Sequence, residues 1–209
     1  MYTWVRATTI TLTELLREHM EADPGLRPFF SSAVGGTHIV SAGTPQEMGE
    51  NNLTGLSVWL YRINRDEQLV NHPPRRISFD QIEKPRLPLR LHYLITPVME
   101  NNVNGIGPRL EHTVIGKVLQ TLHDHSLLAG TLLRDDLAGS GVQIAVRLEQ
   151  LDLDQTSRIW DALESSYQLC VSYEASVVLL ASDVEASRFV PVDVVAPEYG
   201  VITEVDAES

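Results

Sequence analysis

The stretch "LPLRLHYLI", residues 87–95, alternates strictly between apolar and other positions. The odd positions hold three leucines, a tyrosine and an isoleucine, whereas the even positions include Pro88, Arg90 and His92. A period of two is typical of a β-strand that buries one face. A proline near the start of such a strand is tolerated. The stretch therefore predicts a sheet with one apolar and one mostly polar face.

Three further segments have the same alternation: "GLSVWLYRI" (55–63), "VQIAVRLEQ" (142–150) and "YQLCVSYEASVVLLA" (167–181). Their β-branched and aromatic residues favour strands. The side chains predicted to face inward are Leu56, Val58, Leu60, Val142, Ile144, Val146, Leu148, Tyr167, Leu169, Val171, Tyr173, Ala175, Val177 and Leu179. A short strand is also predicted within "VGGTHIVSAG" (34–43), and loops at 44–52 and 64–86, where turn-forming and polar residues dominate.

Two helices are predicted from apolar residues at helical intervals. The first covers about 12–21, and Thr11 with Glu14 three residues later has the spacing of a capping box. The second lies in "PRLEHTVIGKVLQTLHDH" (108–125), where Pro108 suits the first turn. Its apolar residues form one continuous stripe, which consists of Leu110, Val114, Ile115, Val118, Leu119 and Leu122.

A third helix is predicted in "LDLDQTSRIWDALES" (151–165). Asp152 is the expected N-cap and Gln155 follows three residues later. Ile159, Trp160 and Leu163 then face one way. The order helix, strand, strand, helix, strand, helix, strand predicts an α/β fold. We expect a two-layer mixed β-sheet of four to six strands, with amphipathic helices mainly on one face.

The charge distribution predicts a domain at residues 1–182 and an acidic C-terminal tail at 183–209. The chain has 209 residues and a formal net charge of −12. From Ser182 onward seven acidic residues stand against one basic residue. The tail keeps β-like alternation, so it is interpreted as an extra strand, an assembly arm that reaches a neighbouring subunit, or disorder. The overall acidity argues against nucleic acid or an anionic membrane as the main partner.

The N-terminal residues do not have the pattern of a secretory signal, and there is no apolar run of about 18 residues. A single cysteine, Cys170, excludes an internal disulfide and suits a reducing compartment. These features predict a cytoplasmic protein without direct membrane insertion.

The stretch "TLHDHSLL" (121–128) is the first candidate for a metal or catalytic site. His112, His123 and His125 do not share one helix face, and a zinc site needs three or four converging ligands. We therefore interpret the two later histidines as a helix end, where the helix dipole favours a cationic side chain. His92 is expected to be solvated or to face an interface.

The other candidates carry equally little chemistry. Cys170 lacks a recognisable histidine partner, and Asp135 and Asp136 are interpreted as solvated loop charges. The glycines of "VGGTH" and "LAGSGVQ" lack the pattern of a phosphate loop, and the second group is interpreted as a turn. No catalytic, cofactor-binding or metal-binding residue, and no cofactor, is predicted. A domain of this kind is expected to act through its surfaces.

Four segments in order resemble one bacterial family: "LSVWLYRINRDEQLVN", "PRLPLRLHYLITPV", "VIGKVLQTLHDHSLL" and "VRLEQLDLDQTSRIWDALESSYQLCVSYEASVVLL". The family is the N-terminal domain of the terminal cap protein of phage-tail-like extracellular contractile injection systems. The resemblance covers about residues 11–180, and departs from the family around 34–52 and after Ser182. The matching motifs are Pro88–Leu94, Leu122–His125, and Ile159, Trp160, Tyr167, Leu169, Val171 and Tyr173.

The resemblance implies a tail-terminator-like fold and a structural, non-enzymatic protein. Such a protein caps the distal end of the inner tube and contractile sheath, stops polymerisation and fixes particle length. Its implied partners are further copies of itself, in a ring that is expected to be a homohexamer, and the tube and sheath proteins. Assembly is expected in the cytoplasm, into a particle that is released or anchored. The alternatives are an effector-loading adaptor or chaperone of the same system, and a small metal-dependent hydrolase using His92, His123 and His125.

Overall fold

The computed structural model describes residues 2–69, 75–78, 81–83, 86–99, 106–180 and 187–188. In chain order the elements are α1 (Trp4–Ala22), α2 (Arg27–Phe30), β1 (Ile39–Ser41), α3 (Pro45–Glu50), β2 (Gly55–Arg65), β3 (Arg75–Ser78), β4 (Gln81–Glu83), β5 (Leu87–Val98), α4 (Ile106–Asp124), β6 (Leu127–Ala129), β7 (Gln143–Glu149), α5 (Leu153–Ala162), β8 (Val171–Leu180) and β9 (Ser187–Arg188). Short 3₁₀ turns occur at 32–34, 130–132 and 135–137.

The chain divides into two units, Met1–His72 with Arg86–Ala181, and Pro73–Pro85 with Ser182–Ser209. The first unit contains a six-stranded sheet in the order β1-β2-β5-β8-β7-β6. β1 pairs with β2 in parallel, and every other neighbouring pair is antiparallel. The predicted α/β class with a mixed sheet of four to six strands is therefore confirmed.

The main core lies between one face of this sheet and the helices α1 and α4. The apolar stripe of α4 is buried or half-buried there, as the sequence predicts. Facing it on β5 are the buried side chains of Leu91, Tyr93 and Ile95. Full burial of one such side chain stabilises the fold by about 1.5–3 kcal/mol. The alternation that predicts the sheet is thus the pattern that builds its core.

α1 begins at Trp4, well before the predicted start at residue 12, and Thr11 is not its N-cap. The Thr11 hydroxyl instead donates to the Ala7 carbonyl at 2.8 Å and accepts the Arg134 N–H at 3.0 Å. The predicted capping box is wrong because Trp4 and Ala7 are buried in the main core. Their burial extends the helix toward its N-terminus through a threonine-rich segment.

α5 covers the opposite face of the sheet from α1 and α4, which agrees with the expectation of helices mainly on one face. Leu94 alternates with Tyr93 and Ile95 and therefore points away from the main core. It forms a second, smaller core with Trp160 and Leu163. The N-cap predicted for this helix is confirmed: Asp152 and Gln155 form both hydrogen bonds of a capping box.

Two predicted loops contain regular structure. The segment 44–52 includes α3, whose N-cap Thr44 forms a capping box with Glu47. The segment 64–86 includes β3 and β4, which pair with each other. Within the second unit β9 extends this pairing to three strands. β6, which lies between α4 and β7, is a strand that the sequence does not predict.

The ends of two predicted strands need correction. β8 begins at Val171, and Tyr167 is 56% exposed. β8 also has one extra residue opposite β5, since Leu89 pairs with Val178 and the next residue, Arg90, pairs with Ser176. This irregularity brings Val178 into the main core. Leu148, predicted to face inward on β7, is 53% exposed.

The predicted C-terminal tail, 183–209, lies outside the described residues except for Ser187 and Arg188. Its boundary at residue 182 stays a prediction. In the ranges that the structure describes, no helix is both long and apolar enough to cross a lipid bilayer.

Candidate functional site

A cluster of polar side chains lies on the sheet face that also carries α5, and His92 is at its centre. His92 is only 3% exposed, so the expectation of a solvated or interface-facing side chain is wrong. Its Nδ1 lies 3.1 Å from a carboxylate oxygen of Glu149, and its Nε2 lies 3.3 Å from the side-chain amide of Asn64. When Nδ1 carries the proton it donates to Glu149, and Nε2 of a neutral ring then accepts from Asn64.

The Glu149 carboxylate collects the donors of this cluster. The Ser172 hydroxyl donates to it at 2.7 Å, the Tyr61 hydroxyl at 3.1 Å and the Arg62 guanidinium at 2.8 Å. Burial alone raises the pKa of Glu149, but the hydrogen bonds from Ser172, His92 and Tyr61 outweigh it and leave the pKa below its ordinary value. Glu149 is therefore held as a charged acceptor.

A second carboxylate, Asp66, lies just beyond the end of β2 and is 2% exposed. It accepts from Arg90 Nε at 2.9 Å and from the backbone N–H groups of Gln68 and Leu69 at 2.9 and 3.2 Å. Burial raises its pKa, yet these bonds together bring the pKa below its ordinary value. Arg90 also contacts Glu174 at 3.3 Å. Each of the three carboxylates thus has an arginine partner, and the two arginines offset two of the three negative charges.

This arrangement differs from the known pattern of an activated nucleophile. In a serine catalytic triad the imidazole lies between the hydroxyl and the carboxylate, so that it can remove the hydroxyl proton. Here the Glu149 carboxylate lies between the Ser172 hydroxyl and the His92 imidazole. Ser172 therefore donates to a weak base that is already saturated with donors. The cluster borders a surface groove of about 560 Å³ lined by charged and polar side chains.

The histidines near the end of α4 lie in other surroundings. α4 ends at Asp124, and His125 Nδ1 lies 2.9 Å from the Thr121 carbonyl. The His125 ring makes an edge contact with His19 of α1, with 4.8 Å between the ring centroids. His112 and His123 are exposed on α4. Among the described residues, no group of three or more His, Cys, Asp or Glu side chains is placed to hold a metal ion.

The remaining candidate residues have structural environments. Cys170 is half-buried beside the second core, and burial raises the pKa of its thiol. Asp135 and Asp136 are exposed, as expected, and they form ion pairs with Arg6 of α1 at 2.8 and 3.3 Å. The glycines of "LAGSGVQ" lie in the turn before β7, as predicted, and Gly139 has a φ of 71°.

The sequence alone does not predict that these polar side chains form a cluster. The available signal is that Arg90, Glu149 and Glu174 occupy the polar positions of alternating strands. Arg62 and Asn64 are in phase with the inward-facing Leu60, and only the irregularity between Leu60 and Arg62 brings them to this face. The strand order then makes all of these positions neighbours. If it is not known that β5 lies between β2 and β8, the same residues are interpreted as an ordinary solvated face.

The match to known families extends over most of the chain. Residues 7–193 match the family model of the Pvc16 N-terminal domain. The chain belongs to the Pvc16 N-terminal domain family. This membership confirms the resemblance carried by the four sequence segments. No curated protein sequence matches the chain.

Solved structures similar to this Pvc16 N-terminal domain show the same fold. One is the sheath/tube terminator of an extracellular contractile injection system, PVC, in its extended state; the TM-score is 0.56 at 17% identity. Another is the tube-terminating cap of the anti-feeding prophage, with a TM-score of 0.54 at 15% identity. The matches cover 92% and 89% of this chain, but only 64% and 59% of those longer chains.

Proposed function

We propose that this chain caps the tube and sheath of a contractile injection particle, ends their polymerisation and so fixes particle length. The observation that carries the proposal is the family match over residues 7–193. The fold shared with a sheath/tube terminator and with a tube-terminating cap supports it. We propose a structural rather than a catalytic role, supported by the saturated polar cluster around His92 and Glu149.

The proposed partners are the tube protein, the sheath protein and further copies of this chain in a ring, a homohexamer in the simplest case. A cyclic ring needs two different patches on each protomer, one of which meets the other on the next copy. The six-stranded sheet has two different edges, β1 and β6. A terminator must also bind the growing end of the polymer without offering a further tube or sheath subunit the same binding surface. A protein whose sequence differs from those of the tube and sheath subunits can meet both requirements. We propose that assembly takes place in the cytoplasm.

The test is the length distribution of particles made without this chain. We expect particles, tubes or sheaths of broad and abnormal length when the gene is deleted, and a single length again when the full chain is supplied. Negative-stain electron microscopy gives both measurements. An unchanged length distribution in the deletion strain contradicts the proposal. Particles of normal length that lack their cargo favour the adaptor or chaperone alternative instead.

A further inference from the structure

One segment of β7 has an unpaired outer edge. β6 pairs only with Gln143–Ala145, and the last bond on that side runs from the Val146 N–H to the Ser126 carbonyl at 2.8 Å. Because residues alternate along a strand, Leu148 directs its N–H and C=O toward the same side as Val146. No described strand lies opposite it there. An open edge of this kind accepts an extended segment from another chain.

A groove runs along one face of this open segment. It lies between α4 and the end of β7, has a volume of about 470 Å³, and is lined mainly by apolar side chains. Leu119 and Leu122 of α4 form one wall, and Val146, Leu148 and Tyr173 form the other. Leu148 is the exposed member of the second wall. The groove therefore suits apolar side chains at alternate positions of an added strand.

The other face of the open segment carries a cation, Arg147, for which the described part of the chain shows no ion-pair partner. Arg147 is exposed, and the register places it opposite Glu174 on β8. The carboxylates nearest to it along and across the strands, Glu149 and Glu174, are paired with Arg62 and Arg90 instead. An added strand that carries a carboxylate on this face gains a cross-strand ion pair with Arg147.

We propose that this edge of β7 binds residues 201–206 of a second copy of the chain. That segment reads "VITEVD". As a strand it would place Val201, Thr203 and Val205 on one face and Ile202, Glu204 and Asp206 on the other. In either strand direction, Thr203 and Val205 face the groove when Glu204 faces Arg147. The segment has the β-branched residues that favour strands.

The chain before this segment is long enough to give it a wide reach. Residues 189–200 separate it from β9, and an extended chain covers about 3.3 Å per residue, so about 40 Å can be spanned. β7 and the tail are two different patches, as a head-to-tail ring requires. The inference rests on the proposed function for its biological setting, but the contact itself is testable without a particle.

The test is a charge exchange in the full-length chain. We compare Arg147→Glu, Glu204→Arg and the double variant by sedimentation equilibrium. Each single change brings like charges together, and we expect the dissociation constant of self-association to rise about fivefold. In the double variant the pair is restored with reversed polarity, and the constant should return to within about twofold of the parent. The matched control is Arg109→Glu, which reverses the charge of an exposed arginine on α4 instead of β7. It should leave the dissociation constant of self-association unchanged.

A second measurement covers the possibility that Arg147→Glu impairs folding. A synthetic peptide of residues 199–208 should bind the parent chain and compete with self-association, whereas the Glu204→Arg peptide should not. Self-association that both charge reversals leave unchanged overturns the inference, as does a monomeric chain that fails to bind the peptide. A change in thermal stability of Glu204→Arg without a change in association also overturns it, because the tail then binds within its own chain. None of these measurements depends on particle length, so the proposed function is tested separately.

Discussion

Replacement of Glu149 by glutamine tests whether the polar cluster on the α5 face stabilises the fold. The carboxylate accepts hydrogen bonds from Ser172, Tyr61, Arg62 and His92. Glutamine keeps the shape of the side chain but replaces one oxygen by an NH₂ group, which is itself a donor. Ser172, Tyr61 and His92 share Oε2 and Arg62 uses Oε1, so a glutamine whose oxygen takes the Oε2 position leaves only Arg62 without an acceptor. The other three bonds remain but lose the negative charge that strengthens them.

The size of the effect follows from the one lost bond and the three weakened ones. A hydrogen bond to a charged group contributes about 1.5–3 kcal/mol, and less where solvent reaches it. The Glu149 side chain is 20% exposed. We therefore take about 1 kcal/mol for the bond from Arg62 and up to about 1 kcal/mol for the other three together, and expect the Glu149→Gln variant to lose about 1–2 kcal/mol of unfolding free energy at pH 7.

The same change should depend on pH in a defined direction. The folded-state pKa of Glu149 lies below its ordinary value of 4.5. A group with a lowered folded pKa contributes stability that is present above the unfolded pKa and is lost as the pH falls through the folded pKa. The difference between parent and variant should therefore be full at pH 7 and shrink below about pH 4.5.

Urea unfolding followed by tryptophan fluorescence measures this difference, because Trp59 and Trp160 both pack in the second core. The control is Glu67→Gln, which changes an exposed glutamate at the rim of the same groove. The reasoning is refuted if the two variants are equally stable at pH 7. It is also refuted if the deficit of Glu149→Gln is the same at pH 7 and at pH 4.

Three further changes should lower the unfolding free energy, measured by urea unfolding at pH 7. Trp160→Ala removes the largest side chain of the second core and should cost about 3–5 kcal/mol; a loss under 1 kcal/mol contradicts the assignment of that core. Asp152→Ala removes the N-cap of α5 and should cost about 1 kcal/mol, whereas Asp154→Ala, within the same helix, should cost less. Gly55→Ala should cost more than about 2 kcal/mol, because its φ is 136° and a Cβ there lies 2.0 Å from the Ile39 carbonyl oxygen; near-parent stability contradicts the parallel pairing of β1 with β2.

The sequence predicts the main core well because its signals are periodic. The alternation in 87–95 and the stripe of α4 each report one buried face, and both faces are buried in the same core. The N-cap at Asp152 is also predictable, since nothing upstream of it competes for burial. These signals are local, and each acts within a single element.

The same local signals fail where burial elsewhere decides the outcome. Thr11 with Glu14 and Thr44 with Glu47 have the same capping-box spacing, yet only Thr44 is an N-cap. The burial of Trp4 draws α1 past Thr11, whereas no buried helical residue precedes Thr44. The burial of Leu94 is likewise not predictable from local sequence. Its partner Trp160 lies on α5, and the chain topology decides which face of the sheet α5 covers.

The polar cluster also connects four neighbouring strands of the sheet. Its contacts reach from Tyr61 and Arg62 on β2 to Glu149 on β7, across the two strands between them. A register shift of one residue in β7 moves Glu149 to the other face of the sheet and leaves its hydrogen-bond donors without an acceptor. Apolar residues in the same positions would specify the strand register less strictly, since exchanging one apolar neighbour for another costs little free energy. The cluster therefore fixes the register of four strands, and with it the position of the open edge of β7 relative to α4. That edge is the surface to which we propose that a second copy binds, and a single register gives it one position only.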